Sequence, residues 1–131
     1  MVERPSAELR AFARAAAERG VDLFHGHSAH VLQGVELCGG SCILHDTGDF
    51  LDDYAVDRTL RNDWSCVFLV DADAGGLTRL SLIPVRLGFA RVDRATGRDF
   101  MEIRRRMAAL SEEFGTAFET TETGLTLTIG Q

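Results

Sequence analysis

Three of the four histidines, His25, His27 and His30, lie within six residues of the segment DLFHGHSAHVLQ (residues 22–33). The fourth is His45. The stretch that follows is rich in acidic side chains: Asp46, Asp49, Asp52, Asp53, Asp57 and Asp63. Histidine is the commonest metal ligand, and imidazoles beside carboxylates suit a divalent ion such as manganese, iron or zinc. The pattern therefore indicates a metal-dependent hydrolase, and loop histidines that bond nearby backbone are the simpler alternative.

Two motifs in this region resemble a known family. GHSAHVLQGVE (residues 26–36) is followed closely by CILHDTGDF (residues 42–50). Together they resemble the CapA-type capsule-synthesis family of poly-γ-glutamate synthesis, a branch of the calcineurin-like metallophosphoesterases. The family's helix, histidine loop and Gly-Asn-Phe element match residues 5–20, 21–33 and 47–50, and the resemblance covers most of residues 5–85. Two residues depart from the pattern, because Asp49 replaces the usual asparagine and His25 replaces an aliphatic residue.

The resemblance implies a role for each of these side chains. His27 and His30 are expected to be metal ligands in the intact domain, which would hold manganese, iron or zinc. His25 is a candidate catalytic residue that would act as a general acid or would support the metal ligands without binding the metal itself. Direct binding of the metal is the alternative role for His25. Asp49 is a candidate catalytic residue that faces the substrate near the metal. For Asp46 and Asp49, the alternative is a turn carboxylate that accepts backbone N–H groups.

The resemblance also implies that the chain is part of a longer protein. Family members carry an N-terminal aspartate motif, an asparagine–histidine motif and a His-Trp-Gly segment, which this sequence lacks. We therefore expect residues 1–131 to be the C-terminal part of a CapA-type domain, inactive alone and binding at best a single metal ion weakly. Two functions stay open for the parent protein. One is a metal-dependent hydrolase or transferase acting on phosphoester or γ-glutamyl amide bonds, and the other is a non-catalytic scaffold or binding component of a polymer-synthesis assembly.

Composition fits one small globular unit. With 131 residues and 45% hydrophobic content, the chain can bury a core for one domain and not for two. A net charge of −6 disfavours nucleic acid and anionic membranes as partners. No apolar run approaches the roughly 18 residues of a membrane span, and no signal-like segment opens the sequence, which favours the cytoplasm for this stretch of chain.

A helix and a short strand should position the histidines. Ser6 is a good N-cap, and Gly20 should end the helix. Its apolar face is predicted from four residues at helical spacing: Leu9, Phe12, Ala13 and Ala16. Residues 21–25 then predict a strand whose C-terminal end delivers the histidine loop, as strand ends do in open α/β sheets.

A glycine-turned hairpin should follow the loop. Gly39 and Gly40 between two apolar runs predict strands at residues 35–38 and 41–45. Cys38 and Cys42 then become diagonal neighbours on paired strands, where buried thiols are favoured over a metal or redox role. With Cys66 the cysteine count is odd, which argues against a disulfide framework.

The second half of the chain predicts a strand pair, a helix and a last hairpin. Residues 64–71 (WSCVFLVD) are apolar on both faces, as in a strand covered from both sides. Residues 77–85 return, and Pro84 should mark the end or the edge of that strand. A helix should begin at Asp99, with Glu102 completing a capping box. Its predicted buried stripe is Ile103, Met107, Leu110 and Phe114. Residues 117–120 and 125–129 predict the final hairpin.

These elements predict an α+β fold with two main helices and a mostly antiparallel sheet. Taken with the resemblance, they predict a partial α/β/β/α sandwich of the metallophosphoesterase type. Such a part would expose an apolar sheet face, so we expect self-association as a homodimer. Residues 52–54 predict a solvated turn, with Tyr54 as a candidate substrate contact. Arg104, Arg105 and Arg106 predict a solvent-facing surface, with a polyanion-binding patch as the lesser alternative.

Overall fold

A computed structural model of the chain describes residues 1–51 and 55–130, so the predictions for residues 52–54 lie outside the described residues. Within the described residues, the helices and strands follow in the order α1 (Ala7–Glu18), β1 (Leu23–His25), β2 (Val35–Cys38), β3 (Ser41–Leu44), β4 (Trp64–Asp73), β5 (Gly76–Gly88), β6 (Arg91–Arg94), α2 (Gly97–Glu112), β7 (Glu119–Thr120) and β8 (Leu125–Thr128). The predicted α+β class, with two helices and mostly antiparallel strands, is confirmed.

Helix α1 begins at its predicted cap but buries a different face. Ser6 Oγ accepts a hydrogen bond from Leu9 N at 3.1 Å, as an N-cap side chain should. The predicted apolar face is wrong in two of its members, because Leu9 and Phe12 are 64% and 65% exposed. Ala13 and Ala17 are buried instead, against Ile43 of β3. Their small side chains let the helix approach the sheet closely.

The first sheet has the order β1-β3-β2 within the described residues. Strand β1 runs parallel to β3, and β2 pairs antiparallel with β3 across the predicted glycine turn. Cys38 faces Ser41 and Leu37 faces Cys42, which confirms that the two cysteines are diagonal neighbours. All three cysteines are free thiols.

The second sheet has the order β4-β5-β8-β7, with β6 pairing with β5. Within this chain β4 is not covered on both faces, because Leu69 is about half exposed, which agrees with the expected exposure of an apolar sheet face. Pro84 does not end its strand either, since it is fully buried inside β5. Strand β8 pairs with residues 79–82 of β5 and β6 with residues 85–88, so Pro84 falls where β5 changes partner. Proline has no N–H to donate, and at this position neither β8 nor β6 pairs with β5. On the same side of the strand, the carbonyl oxygen of Pro84 accepts from Ala95 N at 3.0 Å.

Helix α2 begins at Gly97, two residues before the predicted Asp99. The predicted capping box does not form, because Asp99 accepts from Trp64 Nε1 at 3.1 Å and from Arg86 Nη1 at 2.9 Å. Glu102 pairs with Arg105. The buried stripe is confirmed at Ile103, Met107 and Leu110, whereas Phe114 follows the end of the helix and is half buried.

One main core joins both sheets and α2. It contains the buried side chains of β2 and β3 that face away from α1, together with those of β4, β5 and β8. A smaller core lies between α1 and the opposite face of β3, around Ile43. The small sheet is therefore covered by α1 on one face and by the larger sheet and α2 on the other. Neither helix of the described residues is long and apolar enough to cross a membrane.

Candidate functional site

The two motifs predicted to carry the site lie side by side. We call residues 25–33 the histidine loop and residues 45–50 the aspartate turn. Gly26 N donates to Leu44 O at 2.8 Å, and Gln33 N donates to Asp46 O at 3.1 Å. A single β-bridge also links Leu32 to Thr47. Backbone pairing at both ends of the loop therefore holds the histidines against the aspartate turn.

The contact between the two segments requires a glycine. A methyl group added at Gly26 would lie 2.0 Å from the backbone oxygen of His45, far inside van der Waals contact. Further along the loop, Ser28 and His30 have φ angles of +91° and +64°. Non-glycine residues rarely adopt this left-handed conformation, and such residues cluster at functional sites.

Asp46 fixes the shape of the loop from inside. It is buried, and its Oδ2 accepts from Ala29 N at 2.8 Å while its Oδ1 accepts from Gly48 N at 2.9 Å. Gly48 has a φ of +70°, which suits a tight turn. For Asp46, the alternative prediction of a turn carboxylate that binds backbone N–H groups is confirmed.

His30 and Asp49 form the closest pair of predicted site residues. His30 Nδ1 lies 2.8 Å from Asp49 Oδ1, and the two side chains are 41% and 14% exposed. A carboxylate bonded to one ring nitrogen fixes the tautomer and orientation of an imidazole, which is the arrangement behind most metal-binding histidines.

The other two loop histidines bond to hydroxyl groups. His25 Nε2 lies 2.9 Å from Thr47 Oγ1, across the junction between the two segments. His27 Nδ1 lies 2.8 Å from Ser28 Oγ. Both rings are solvent-exposed. These are side-chain contacts, so the simpler alternative of loop histidines bonded to backbone does not describe either one.

His45 belongs to a buried ion network that sequence analysis missed. Its Nε2 lies 2.9 Å from Oε1 of Glu36, whose side chain is 1% exposed. Arg10 Nε and Nη2 donate to the same carboxylate at 3.1 and 2.9 Å, and Arg14 Nη1 also donates to it. Burial raises the pKa of Glu36, but the hydrogen bonds from Arg10, His45 and Arg14 outweigh it and bring the pKa down to about 2. The signal was present in two arginines four residues apart on α1, facing a glutamate in an otherwise apolar strand.

A small recess adjoins His25 between the two sheets. It has a volume of about 270 Å3, and its walls include Leu23, Thr47, Cys66 and Phe68. Burial raises the pKa of the Cys66 thiol, and it raises that of Cys42 to about 12. These thiols are therefore not poised for nucleophilic chemistry at neutral pH.

In residues 1–51 and 55–130, no three His, Cys, Asp or Glu side chains are gathered closely enough to hold a metal ion by themselves. The loop carries His27 and His30 beyond the C-terminal end of β1, and the imidazole of His30 is oriented by a carboxylate. This donor set fits part of a divalent-metal site.

Comparison with known proteins agrees with the motifs. The family model of the bacterial capsule synthesis protein PGA_cap matches residues 1–54. Two probable polyglutamine synthesis accessory proteins of Mycobacterium tuberculosis, from strains CDC 1551 and H37Rv, are each 32% identical over 110 residues, covering 80% of this chain and 29% of the relative. The PGA biosynthesis protein CapA of Bacillus subtilis is 36% identical over 55 residues, covering 42% of this chain and 14% of that protein. The chain spans less than a third of the length of these relatives. The chain therefore belongs to the CapA-type family of bacterial capsule synthesis proteins, and it corresponds to part of the length of a family member.

Proposed function

We propose that this chain supplies the histidine-loop part of a metal-dependent hydrolase site used in capsule or poly-γ-glutamate metabolism. His27 and His30 are the proposed ligands. The observation that carries the proposal is the hydrogen bond between His30 Nδ1 and Asp49 Oδ1. It supplies the carboxylate–imidazole pairing that a metal-binding histidine needs, on a loop fixed at both ends by backbone pairing.

The remaining parts of the site follow from this pairing. With Nδ1 bonded to Asp49, Nε2 is the nitrogen through which His30 would ligate. His25 lies beside Thr47 in the same junction and is the proposed general acid. A bound manganese, iron or zinc ion would polarise a phosphoryl or amide oxygen and supply hydroxide at neutral pH. Ligands beyond His27 and His30 would come from outside the residues described above.

The layering of the fold is compatible with this proposal. A helix, a small mixed sheet, a larger sheet and a second helix pack around two cores, as a partial sandwich of the metallophosphoesterase type would. The substrate class that we propose is a phosphoester or a γ-glutamyl amide, the second because the relatives are named for polyglutamine or PGA synthesis.

A calorimetric titration with Mn2+ and Zn2+ tests the proposal. The wild-type chain should bind one ion, and the double variant His27→Ala/His30→Ala should not. Asp49→Ala should weaken binding about 10- to 100-fold, because it removes the side-chain oxygen that orients His30. Arg98→Ala, an exposed change on α2, is the control and should leave the affinity unchanged.

Two outcomes would contradict the proposal. Binding that survives the double variant would place the metal elsewhere. Two tightly held ions per chain, or strong phosphodiesterase turnover by the 131 residues alone, would contradict the idea that this chain holds only part of the site. If no ion binds at all, the non-catalytic scaffold role becomes the better account.

A further inference from the structure

Arginines concentrate in one groove of an otherwise acidic chain. The groove has a volume of about 530 Å3 and lies between the loop of residues 57–62 and α2. We call it the arginine groove and define it by the side chains that matter for its charge: Arg58, Arg61, Arg105, Arg106, Trp64 and Glu102. It has four cations and one anion in its wall, whereas the chain as a whole carries a net charge of −6.

Three of the four cations already have a carboxylate partner. Arg61 donates through Nε and Nη2 to both oxygens of Asp63, each at 2.8 Å. Arg105 donates to Glu102. Arg106 is the third, with Glu3 as its partner, so among the described residues of the groove Arg58 alone lacks a carboxylate.

Arg58 and Arg106 differ in their surroundings. Arg58 is exposed and has no hydrogen bond or ion pair within residues 1–51 and 55–130. Arg106 donates to the carbonyl oxygens of Leu60 and Thr59, and the carboxylate oxygen paired with it, Glu3 Oε1, is 3.5 Å away. Burial lowers the pKa of Arg106.

The loop that presents these arginines is held rigidly. Asp57 Oδ1 accepts from Thr59 N at 2.9 Å and from Leu60 N at 2.8 Å. Arg61 N donates to Asp57 O at 2.7 Å, and Arg61 itself has a φ of +54°. A loop that is already fixed loses less conformational entropy when a ligand binds.

Trp64 forms the floor of the groove and connects it to the aspartate turn. The guanidinium carbons of Arg61 and Arg106 lie 4.2 and 5.0 Å from the centroid of the Trp64 ring. The next residue, Ser65, donates from Oγ to Thr47 O at 3.3 Å. The groove and the aspartate turn therefore contact neighbouring residues of β4.

We propose that the arginine groove binds neighbouring carboxylates of a linear polyanion of the oligoglutamate class. Among the described residues Arg58 has no carboxylate partner, and Arg105 is 76% exposed in a surface pair that a polymer carboxylate can replace. Their planar guanidinium groups match carboxylates with paired hydrogen bonds. This inference rests on the proposed function for the choice of polymer and extends it by giving the polymer a binding surface outside the metal site. Of the three consecutive arginines in the sequence, Arg105 and Arg106 line this groove. Arg104 is not part of its lining and donates to Thr121 O.

The single tryptophan makes the proposal directly measurable. Trp64 is the only tryptophan of the chain, so its fluorescence reports on the groove. A γ-linked glutamate oligomer of ten residues is titrated into the full 131-residue chain in EDTA, at low salt and again in 0.5 M NaCl. We expect a saturable change in emission that weakens in high salt, because exposed charge pairs are screened.

Two double variants with the same change in net charge separate the groove from general electrostatics. Arg58→Glu/Arg105→Glu should weaken binding at least about tenfold, since like charges then face the polymer. Arg94→Glu/Arg98→Glu, which changes two exposed arginines outside the groove, should alter it less than about twofold under the same screening. Isothermal calorimetry of both variants checks that the affinity, and not only the emission of Trp64, has changed.

Several results would overturn the inference. These are no saturable binding by the wild-type chain, equal losses in both double variants, or equally tight binding of a ten-nucleotide single-stranded DNA. The His27→Ala/His30→Ala variant should keep its polymer affinity in EDTA. Failure of metal binding would therefore leave this inference standing, and failure of the groove would leave the metal proposal standing.

Discussion

Replacing Glu36 by glutamine should destabilise the fold at neutral pH, because it removes the carboxylate that holds Arg10 and Arg14 of α1 to the first sheet. Glu36 accepts hydrogen bonds from Arg10, Arg14 and His45 while its own side chain is 1% exposed. Glutamine keeps the size of the side chain, so no cavity forms. The loss of stability then reports on the negative charge and on the acceptor oxygen that the NH2 group of glutamine replaces.

The expected magnitude follows from the pKa of Glu36. The network lowers it from an ordinary value of 4.5 to about 2, and each pKa unit corresponds to about 1.4 kcal/mol, so the carboxylate form is stabilised by about 3 kcal/mol. Arg10 and Arg14 are 43% and 44% exposed, and solvent screens their part of the interaction. We therefore expect Glu36→Gln to lower the free energy of unfolding by about 2–3 kcal/mol.

The sign of the pH dependence is fixed by the same shift. The pKa of Glu36 is lower in the folded than in the unfolded chain, so its contribution is complete above about pH 4.5 and disappears as the pH falls towards about 2. At pH 3 the difference in stability between the wild-type chain and the variant should therefore be less than half of that at pH 7.

Urea unfolding at pH 7 and pH 3 measures both effects. Glu122→Gln, in the exposed turn between β7 and β8, is the matched control and should change the free energy of unfolding by less than about 0.5 kcal/mol. A Glu36→Gln variant as stable as this control at pH 7 would refute the reasoning. So would a difference from wild type that does not shrink at pH 3.

Three further predictions concern the loop, the thiols and the assembly. Gly26→Ala should cost about 2–3 kcal/mol in urea unfolding because its methyl group meets a backbone oxygen at 2.0 Å, whereas Gly40→Ala meets nothing within 4 Å; equal costs would contradict the close approach. At pH 8 Cys42 and Cys66 should stay unreactive toward a thiol reagent until urea unfolds the chain, with the half-exposed Cys38 as the reactive thiol; three fast-reacting thiols in the folded chain would contradict the burial. We also propose that the chain forms a two-fold dimer through the open edges of β1 and β4; sedimentation velocity showing a monomer at high micromolar concentration would contradict this.

Local signals in the sequence predicted most of the elements. The cap at Ser6 and the hairpin at Gly39 and Gly40 depend on neighbouring residues alone, and both formed as predicted. The contact between the histidine loop and the aspartate turn was also predictable, because the two motifs were identified together through their resemblance to one family. The hydrogen bond between His30 and Asp49 joins the two motifs.

Features that depend on distant partners could not be predicted in the same way. The rotation of α1 is set by Arg10 and Arg14 reaching Glu36, which places Ala13 and Ala17 on the sheet and leaves Leu9 outside. No helical periodicity contains that information, because the glutamate lies on another element.

The other errors have similar causes. Pro84 is tolerated inside β5 only because two different strands pair with the two ends of β5. Asp99 was predicted to cap a helix, but its carboxylate accepts hydrogen bonds from the indole of Trp64 and the guanidinium of Arg86 instead. Both outcomes are decided by residues on other strands.

The proposed ligands can be tested most directly by following the ring nitrogens of all four histidines by NMR while Zn2+ is added. The account predicts a saturable perturbation of the His27 and His30 rings. His45 serves as the internal control, since it is buried and bonded to Glu36, and its signals should not move. If His27 and His30 stay unperturbed at saturating Zn2+, or if His45 responds as strongly as they do, the histidine loop is not the metal site and the central claim is contradicted.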